Sequence, residues 1–254
     1  MAVEYITSLQ NPLIRHMRKL QTSRSYRREC GEFICEGWKL LEEAVKWLPS
    51  IKTVVYAKGR NCPTMGESVR LVEVPESLLE SLSGMKSPQG VIFTCALPDD
   101  REPELRPGML LLDGIQDPGN LGTILRTADA FNISVLLTNG CADPYSDKTI
   151  RASMGSVFRT VPVSIPMDVL LESCKEKNIS LAATALTDKA VDLRSLDLSQ
   201  YITVIGSEGQ GICRCLLENS HKQVIIPMEP RCESLNAAIA ASIVMWQISC
   251  GRQG

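Results

Sequence analysis

The sequence predicts an α/β protein in two parts: a small N-terminal α/β domain, then a C-terminal α/β domain with a mostly parallel sheet. Three observations carry this. Short apolar strand segments alternate with helical segments along the 254 residues. Strand segments in the C-terminal half, such as Leu110-Leu111-Leu112, are apolar without a break, as expected of strands covered on both faces. Between the halves runs ALPDDREPELRPG, with three prolines and six charged residues, which is linker composition. The boundaries read from this are 1–96 for the first domain, 97–107 for the linker and 108–254 for the second domain.

Asn11-Pro12 starts a helix, because Asn caps and Pro is tolerated in the first turn. Leu13, Met17 and Leu20 then recur at helical spacing, with basic residues on the other faces. Residues 33–35 read as a strand and 38–47 as a helix with the apolar stripe Leu40, Leu41, Ala44, Val45 and Leu48. Strands follow at 53–56, 69–72 and 91–94, with a short helix at 75–82. In the second domain the expected strands are 109–112, 134–137, 180–184, 201–205 and 223–226. The expected helices are 120–131, 167–177 and 234–250, the last very apolar and capped by Ser234.

The bulk numbers exclude several classes. Hydrophobic residues are 44% and charged residues 22%, ordinary for a globular chain with room for two modest cores. No apolar run reaches the roughly 18 residues of a membrane span, so no membrane partner is expected. Met1-Ala2-Val3-Glu4-Tyr5 lacks a basic stretch ahead of an apolar one, so no signal peptide is expected either. The ten cysteines are scattered, without a CxxC pair, and only His16 and His221 could join them. Reduced, buried cysteines in a cytoplasmic protein are expected, with no metal site. Four of them, Cys35, Cys95, Cys174 and Cys250, sit in or beside apolar segments.

The net charge is −2, but charge is unevenly spread. From Tyr5 to Arg28 lie Arg15, Arg18, Lys19, Arg24, Arg27 and Arg28, with His16 and no acid. The segment suits either a solvated helix face or a nucleic-acid contact.

Three glycine- and asparagine-bearing blocks lie at or beside strand ends in the second domain. The first is Asp117-Pro118-Gly119-Asn120-Leu121-Gly122-Thr123-Ile124-Leu125-Arg126, after the strand at 109–112. It opens a helix at a strand's carboxyl end, where open α/β sheets bind ligands. Leu121, Ile124, Leu125, Ala128 and Phe131 form that helix's inward stripe, and Arg126 lies off it. Arg126 suits either a surface pair with Asp129 or a contact to a nucleic-acid phosphate or sugar. The second block is Gly206-Ser207-Glu208-Gly209-Gln210-Gly211. A dinucleotide fingerprint would place its glycines differently and earlier in the domain. The third runs from Ile226-Pro227-Met228 to Ser234-Leu235-Asn236-Ala237, where free helix N–H groups can meet a polar or anionic ligand edge.

In this order and spacing the three blocks resemble the signature of SpoU-type RNA 2′-O-ribose methyltransferases of the SPOUT superfamily. The N-terminal part, from Ser8-Leu9-Gln10-Asn11-Pro12 to Gly31-Glu32-Phe33-Ile34-Cys35-Glu36-Gly37, resembles the L30e-like substrate domain of many members. The resemblance implies a C-terminal trefoil knot holding S-adenosylmethionine, a homodimer through the C-terminal domain and an RNA partner rather than DNA. Large-subunit ribosomal RNA is the leading target, often at guanosine, with tRNA as the alternative. It implies catalytic roles for Arg126, Asn120, Glu208 and Ser234. It places Thr184, Ala185, Leu186, Gly206, Glu208, Gly211, Ile226, Met228, Leu235 and Ala237 around the donor, and makes Arg151 a further RNA contact. Ser207 stands where Asn is frequent, and Pro230 where many relatives have Gly, which stiffens that loop. Two rivals remain. Asn120, Arg126, Glu208 and Ser234 speak against a non-catalytic RNA-binding module. The glycine pattern speaks against a nucleotide-dependent oxidoreductase.

Overall fold

The computed structural model describes residues 3–48, 50–61, 64–99, 102–229, 231–232 and 234–252. They fall into two compact units: Met1–Asp99 with Tyr145–Phe158, and Asp100–Pro144 with Arg159–Gly254.

The first unit begins with β1 (Glu4–Tyr5), α1 (Pro12–Thr22) and α2 (Arg24–Cys30). It continues through β2 (Glu32–Glu36), α3 (Trp38–Trp47), β3 (Ile51–Ala57), β4 (Arg70–Val74), α4 (Glu76–Leu82) and β5 (Val91–Ala96). Asn11 caps α1 by accepting from the Leu13 N–H at 2.9 Å, with Pro12 in the first turn. Ser23 ends α1 and opens α2, its hydroxyl accepting from the Tyr26 N–H at 3.1 Å. The sheet order is β1-β4-β3-β5-β2, parallel from β1 to β3 and antiparallel beyond. Leu13, Ile14, Met17 and Leu20 of α1 join Val55, Val72 and Ile92 of the sheet in one buried cluster, so the helical spacing read from the sequence is a core stripe.

The second unit opens with β6 (Leu110–Asp113), α5 (Pro118–Ala130) and β7 (Val135–Leu137). The chain then supplies α6 (Asp147–Ser153) to the first unit. Back in the second unit come β8 (Val163–Ser164), α7 (Met167–Glu176), β9 (Ser180–Thr184), β10 (Val191–Asp192), β11 (Tyr201–Gly206), α8 (Arg214–Asn219), β12 (Lys222–Ile225) and α9 (Ala237–Gly251). The sheet order is β10-β12-β9-β11-β6-β7-β8, and every neighbouring pair is parallel. Unbroken burial of β6 and β7 explains their uniform apolar composition. No described helix is long and apolar enough to cross a membrane.

Three features differ from the sequence reading. Residues 145–158, read as part of the second domain, pack in the first unit: the Tyr145 and Phe158 rings lie 5.0 and 6.3 Å from that of Phe33. Leu105, inside the expected linker, is buried in the core of the second unit. The cysteines are not uniformly buried. Cys35, Cys95, Cys141 and Cys174 are, whereas Cys213, Cys215, Cys232 and Cys250 are exposed; Cys62 lies outside the described residues.

Candidate functional site

The carboxyl ends of β9, β11 and β12 open into three adjoining loops. After β11, Ser207 and Gly211 close a turn: the Ser207 N–H donates to the Gly211 carbonyl at 3.1 Å, and the Gly211 N–H to that of Ser207 at 2.9 Å. Gly211 has φ +68°, the left-handed region that glycine tolerates. The return limb presses onto Gly206 so closely that a Cβ there would lie 2.3 Å from the Gly211 carbonyl carbon. After β9, the Thr184 hydroxyl donates to the Val204 carbonyl at 2.9 Å and the Ala185 N–H to that of Val224 at 3.0 Å, while Leu186 stands exposed. After β12, the chain passes Ile226 and Met228 and returns through Ser234 and Leu235 into α9.

These loops enclose a cavity of about 400 Å³ in the second unit. Thr184, Ala185, Leu186, Gly206, Glu208, Gly211, Ile226, Met228, Leu235 and Ala237 all line it, as does Ser234. The sequence reading missed Gln210, Ile212 and Leu217 on the same wall. Apolar side chains dominate, with Glu208, Gln210, Ser234 and Thr184 as polar points, the pattern of a small-molecule site. Its size, apolar wall and close-packed glycine backbone fit a nucleoside carrying a polar tail.

A chain of amides joins the three blocks. The Asn120 Nδ2 donates to Glu208 Oε1, and Asn120 Oδ1 accepts from Asn236 Nδ2 at 3.0 Å. Asn236 Oδ1 accepts in turn from the Ala238 and Ile239 N–H groups at 2.9 and 3.3 Å. Asn236 is therefore the cap of α9, and Ser234, expected in that role, sits in the loop before it. Both residue types cap helices, so the motif alone leaves the choice open. Asn directly before an apolar helix was the signal that could have found Asn236. Asp117 caps α5, accepting from the Asn120 N–H at 2.8 Å. Asn120 thus sits in the first turn, and its side chain is free for the network. Pro230 lies outside the described residues.

Arg126 is exposed on α5 and has no hydrogen-bond or ion-pair partner among the described residues. The expected rival partner, Asp129, is engaged elsewhere. Arg159 donates to its Oδ2 through Nε at 2.9 Å and Nη2 at 2.8 Å, and Thr160 Oγ1 lies 3.3 Å from its Oδ1. The cavity and the amide chain do not include Arg126.

The basic segment of the first unit divides. Arg15, Lys19, Arg24 and Arg28 are exposed, and Arg18 is half-buried with a 3.3 Å contact to Ser81 Oγ. Arg27 is a correction: it is 4% exposed, and its Nη1 donates to the Leu20 and Gln21 carbonyls at 2.5 and 3.2 Å. It satisfies carbonyls left open at the end of α1 and is not offered to phosphate. His16 is likewise engaged, 2.9 Å from both the Tyr26 hydroxyl and Glu32 Oε2. Partial burial works against ionised Glu32, but hydrogen bonds from Lys52 and His16 outweigh it and hold the carboxyl below its usual range. Arg151 lies on α6, half-buried and paired with Asp147, in the same unit as the basic segment.

Comparison with known proteins agrees with this geometry. Residues 107–246 match the SpoU rRNA Methylase family, and residues 11–92 match the MRM3-like substrate binding domain. The chain is 29% identical over 248 residues to the Bacillus subtilis 23S rRNA (guanosine(2553)-2′-O)-methyltransferase RlmP, covering 97% of this chain and 99% of that one. It is 34% identical over 264 residues to an uncharacterized tRNA/rRNA methyltransferase of Synechocystis, covering 95% and 92%. Among solved structures, the AdoMet-bound rRNA methyltransferase of Sinorhizobium meliloti superposes with a TM-score of 0.85 at 30% identity, over 99% and 98% of the two chains. With the family signature spanning the whole second unit's cavity and amide chain, this chain belongs to the SpoU rRNA methylase family.

Proposed function

We propose that the protein transfers the methyl group of S-adenosylmethionine to a ribose 2′-hydroxyl of large-subunit ribosomal RNA, at a guanosine, in the cytoplasm. The observation that carries this is one cavity, lined by the second and third blocks and the loop after β9, whose Glu208 is tied through Asn120 of the first block to Asn236. The donor would lie against Gly206, Ile226, Met228 and Leu235, in the knot that this fold implies. Bound there, it supplies an electrophilic methyl on a sulfonium. The chain's own task is then placement and activation of the attacking oxygen. The unpartnered Arg126 orients the ribose and stabilises negative charge developing on its 2′-oxygen; a guanidinium that stays protonated is better suited to this than to removing a proton. Asn120 and Asn236 act as positioning residues for Glu208 and the start of α9. The test is methylation of unmodified 23S rRNA, 16S rRNA and tRNA, followed by ribose-methyl mapping. A single 2′-O-methylguanosine in 23S rRNA is expected. Transfer to tRNA alone overturns the target, and transfer to a base overturns the chemistry.

RNA would be gripped by the exposed cations of the first unit, with Arg27 left out. Replacing Arg15, Lys19 and Arg28 by Gln should flatten the slope of log K against log salt by up to about 2 units, at about 0.7 per phosphate on single strands. Donor affinity should stay as in the wild type. An unchanged slope returns these residues to a solvated helix face.

A second copy of the chain would cover the outer face of α9. Ile239 and Trp246 are 51% and 60% exposed there, and Phe131 meets the Trp246 ring edge-on at 5.8 Å. Two large apolar side chains exposed on one face of the helix support an interface there. Trp246→Glu is expected to convert a dimer to monomer in sedimentation; a wild-type monomer would sink the idea.

A further inference from the structure

The geometry points to Asp113 as a positioning residue that latches the donor loop shut, so that the cavity is formed before the donor arrives. Asp113 is the last residue of β6 and is 8% exposed. No cation pairs with it among the described residues. A carboxylate removed from water without a counter-ion must find donors nearby. It finds them in two other parts of the second unit, the Cys213 thiol among them. Its Oδ1 accepts from the Thr138 hydroxyl at 2.8 Å, just past β7. Its Oδ2 accepts from the Cys213 backbone N–H at 2.7 Å, a hundred residues on in the chain.

That second bond matters because of where Cys213 lies. It follows Gly211 and Ile212, the return limb of the loop that folds back on Gly206. It is also the residue from which α8 starts, and Leu217 of α8 lines the cavity. Gly206 and Asp113 are themselves register partners in the sheet. One residue therefore ties both ends of the loop: β11 through its backbone in the sheet, and the return limb through its carboxylate on Cys213. The Ser207–Gly211 turn closes only the tip. Without the latch the limb Gly211-Ile212-Cys213 is held only by the Ser207–Gly211 pair at its start and by packing, and the wall it gives to the cavity loosens. Short hydrogen bonds to a charged acceptor are the strong ones.

This inference rests on reading the cavity as the donor site. A backbone test exists, because Cys213 has φ −61° and ψ 150°, angles that proline adopts unstrained. Cys213→Pro deletes the N–H that Asp113 accepts, together with the thiol that also bonds to it, and keeps the carbonyl that receives the Leu217 N–H. S-adenosylmethionine affinity is measured by calorimetry, and amide exchange at Gly211 in the donor-free protein. Asp113→Ala and Cys213→Pro should each weaken donor binding by about tenfold or more and speed Gly211 exchange. The double variant should be no worse than the singles, since both remove the same bond. Asp113→Asn should stay within about threefold of wild type: its Oδ1 still accepts from Cys213, and its Nδ2 can donate to the Thr138 oxygen. If Asp113→Ala fails to fold, Cys213→Pro decides the matter alone. Wild-type affinity and wild-type exchange in Cys213→Pro overturn the latch, as do additive losses in the double variant. Failure of the wild-type protein itself to bind S-adenosylmethionine instead overturns the donor-site reading, and the two failures are thereby distinct.

Discussion

Arg126→Ala is expected to lower kcat for methyl transfer by about 10²–10³-fold, the usual effect of removing a preorganised donor aimed at developing oxyanion charge. Donor affinity should hardly change, because Arg126 does not line the cavity. Stability should hardly change either: the side chain is exposed and bonds to nothing described, so no cavity or orphaned partner is left behind. Arg126→Lys sharpens the reading. It keeps the charge but loses the planar fork, so an intermediate rate means that geometry as well as charge is used. Single-turnover rates with saturating RNA and donor, alongside calorimetry, give the answer. Activity near wild type in Arg126→Ala would remove this residue from the chemistry. A large loss of donor affinity would move it into the binding site.

Gly206→Val is expected to abolish detectable donor binding, a loss of at least about 100-fold or roughly 2.7 kcal/mol, while the far-ultraviolet dichroism stays that of the wild type. The cause is internal to the loop. A Cβ at this position would stand 2.3 Å from the Gly211 carbonyl carbon and 2.4 Å from the Ile212 nitrogen, both backbone atoms with little freedom to move aside. Because the collision begins at Cβ, Gly206→Ala should be nearly as damaging as Gly206→Val. If only the larger side chain hurts, the obstacle is the ligand and not the return limb. Gly209→Ala is the matching control, since a Cβ there meets nothing within 4 Å. Normal affinity in both Gly206 variants would place the donor elsewhere.

Patterns within a few residues of one another were legible from the start. The period of α1, the Asn11 cap and the unbroken apolar strands of the parallel sheet all follow from local spacing and solvent exposure. The three blocks were legible too, and the ten residues assigned to the donor stand in one cavity because strand order brings three carboxyl ends together. What remained hidden depends on partners far along the chain or on a choice between equals. Arg27 looks like its basic neighbours, and only the turn between α1 and α2 shows that it is buried under open carbonyls. Ser234 and Asn236 are equally good caps on paper, and the reach to Asn120 selects Asn236. Asp129 could have neutralised Arg126, but Arg159, thirty residues on, claims it and leaves Arg126 free. Residues 145–158 read as part of their own half until Phe33 supplies the ring that Tyr145 and Phe158 pack against. Sequence periodicity reports which side of an element is dry; which distant group a polar side chain meets is decided by how the chain returns, and that information exists only in the folded molecule.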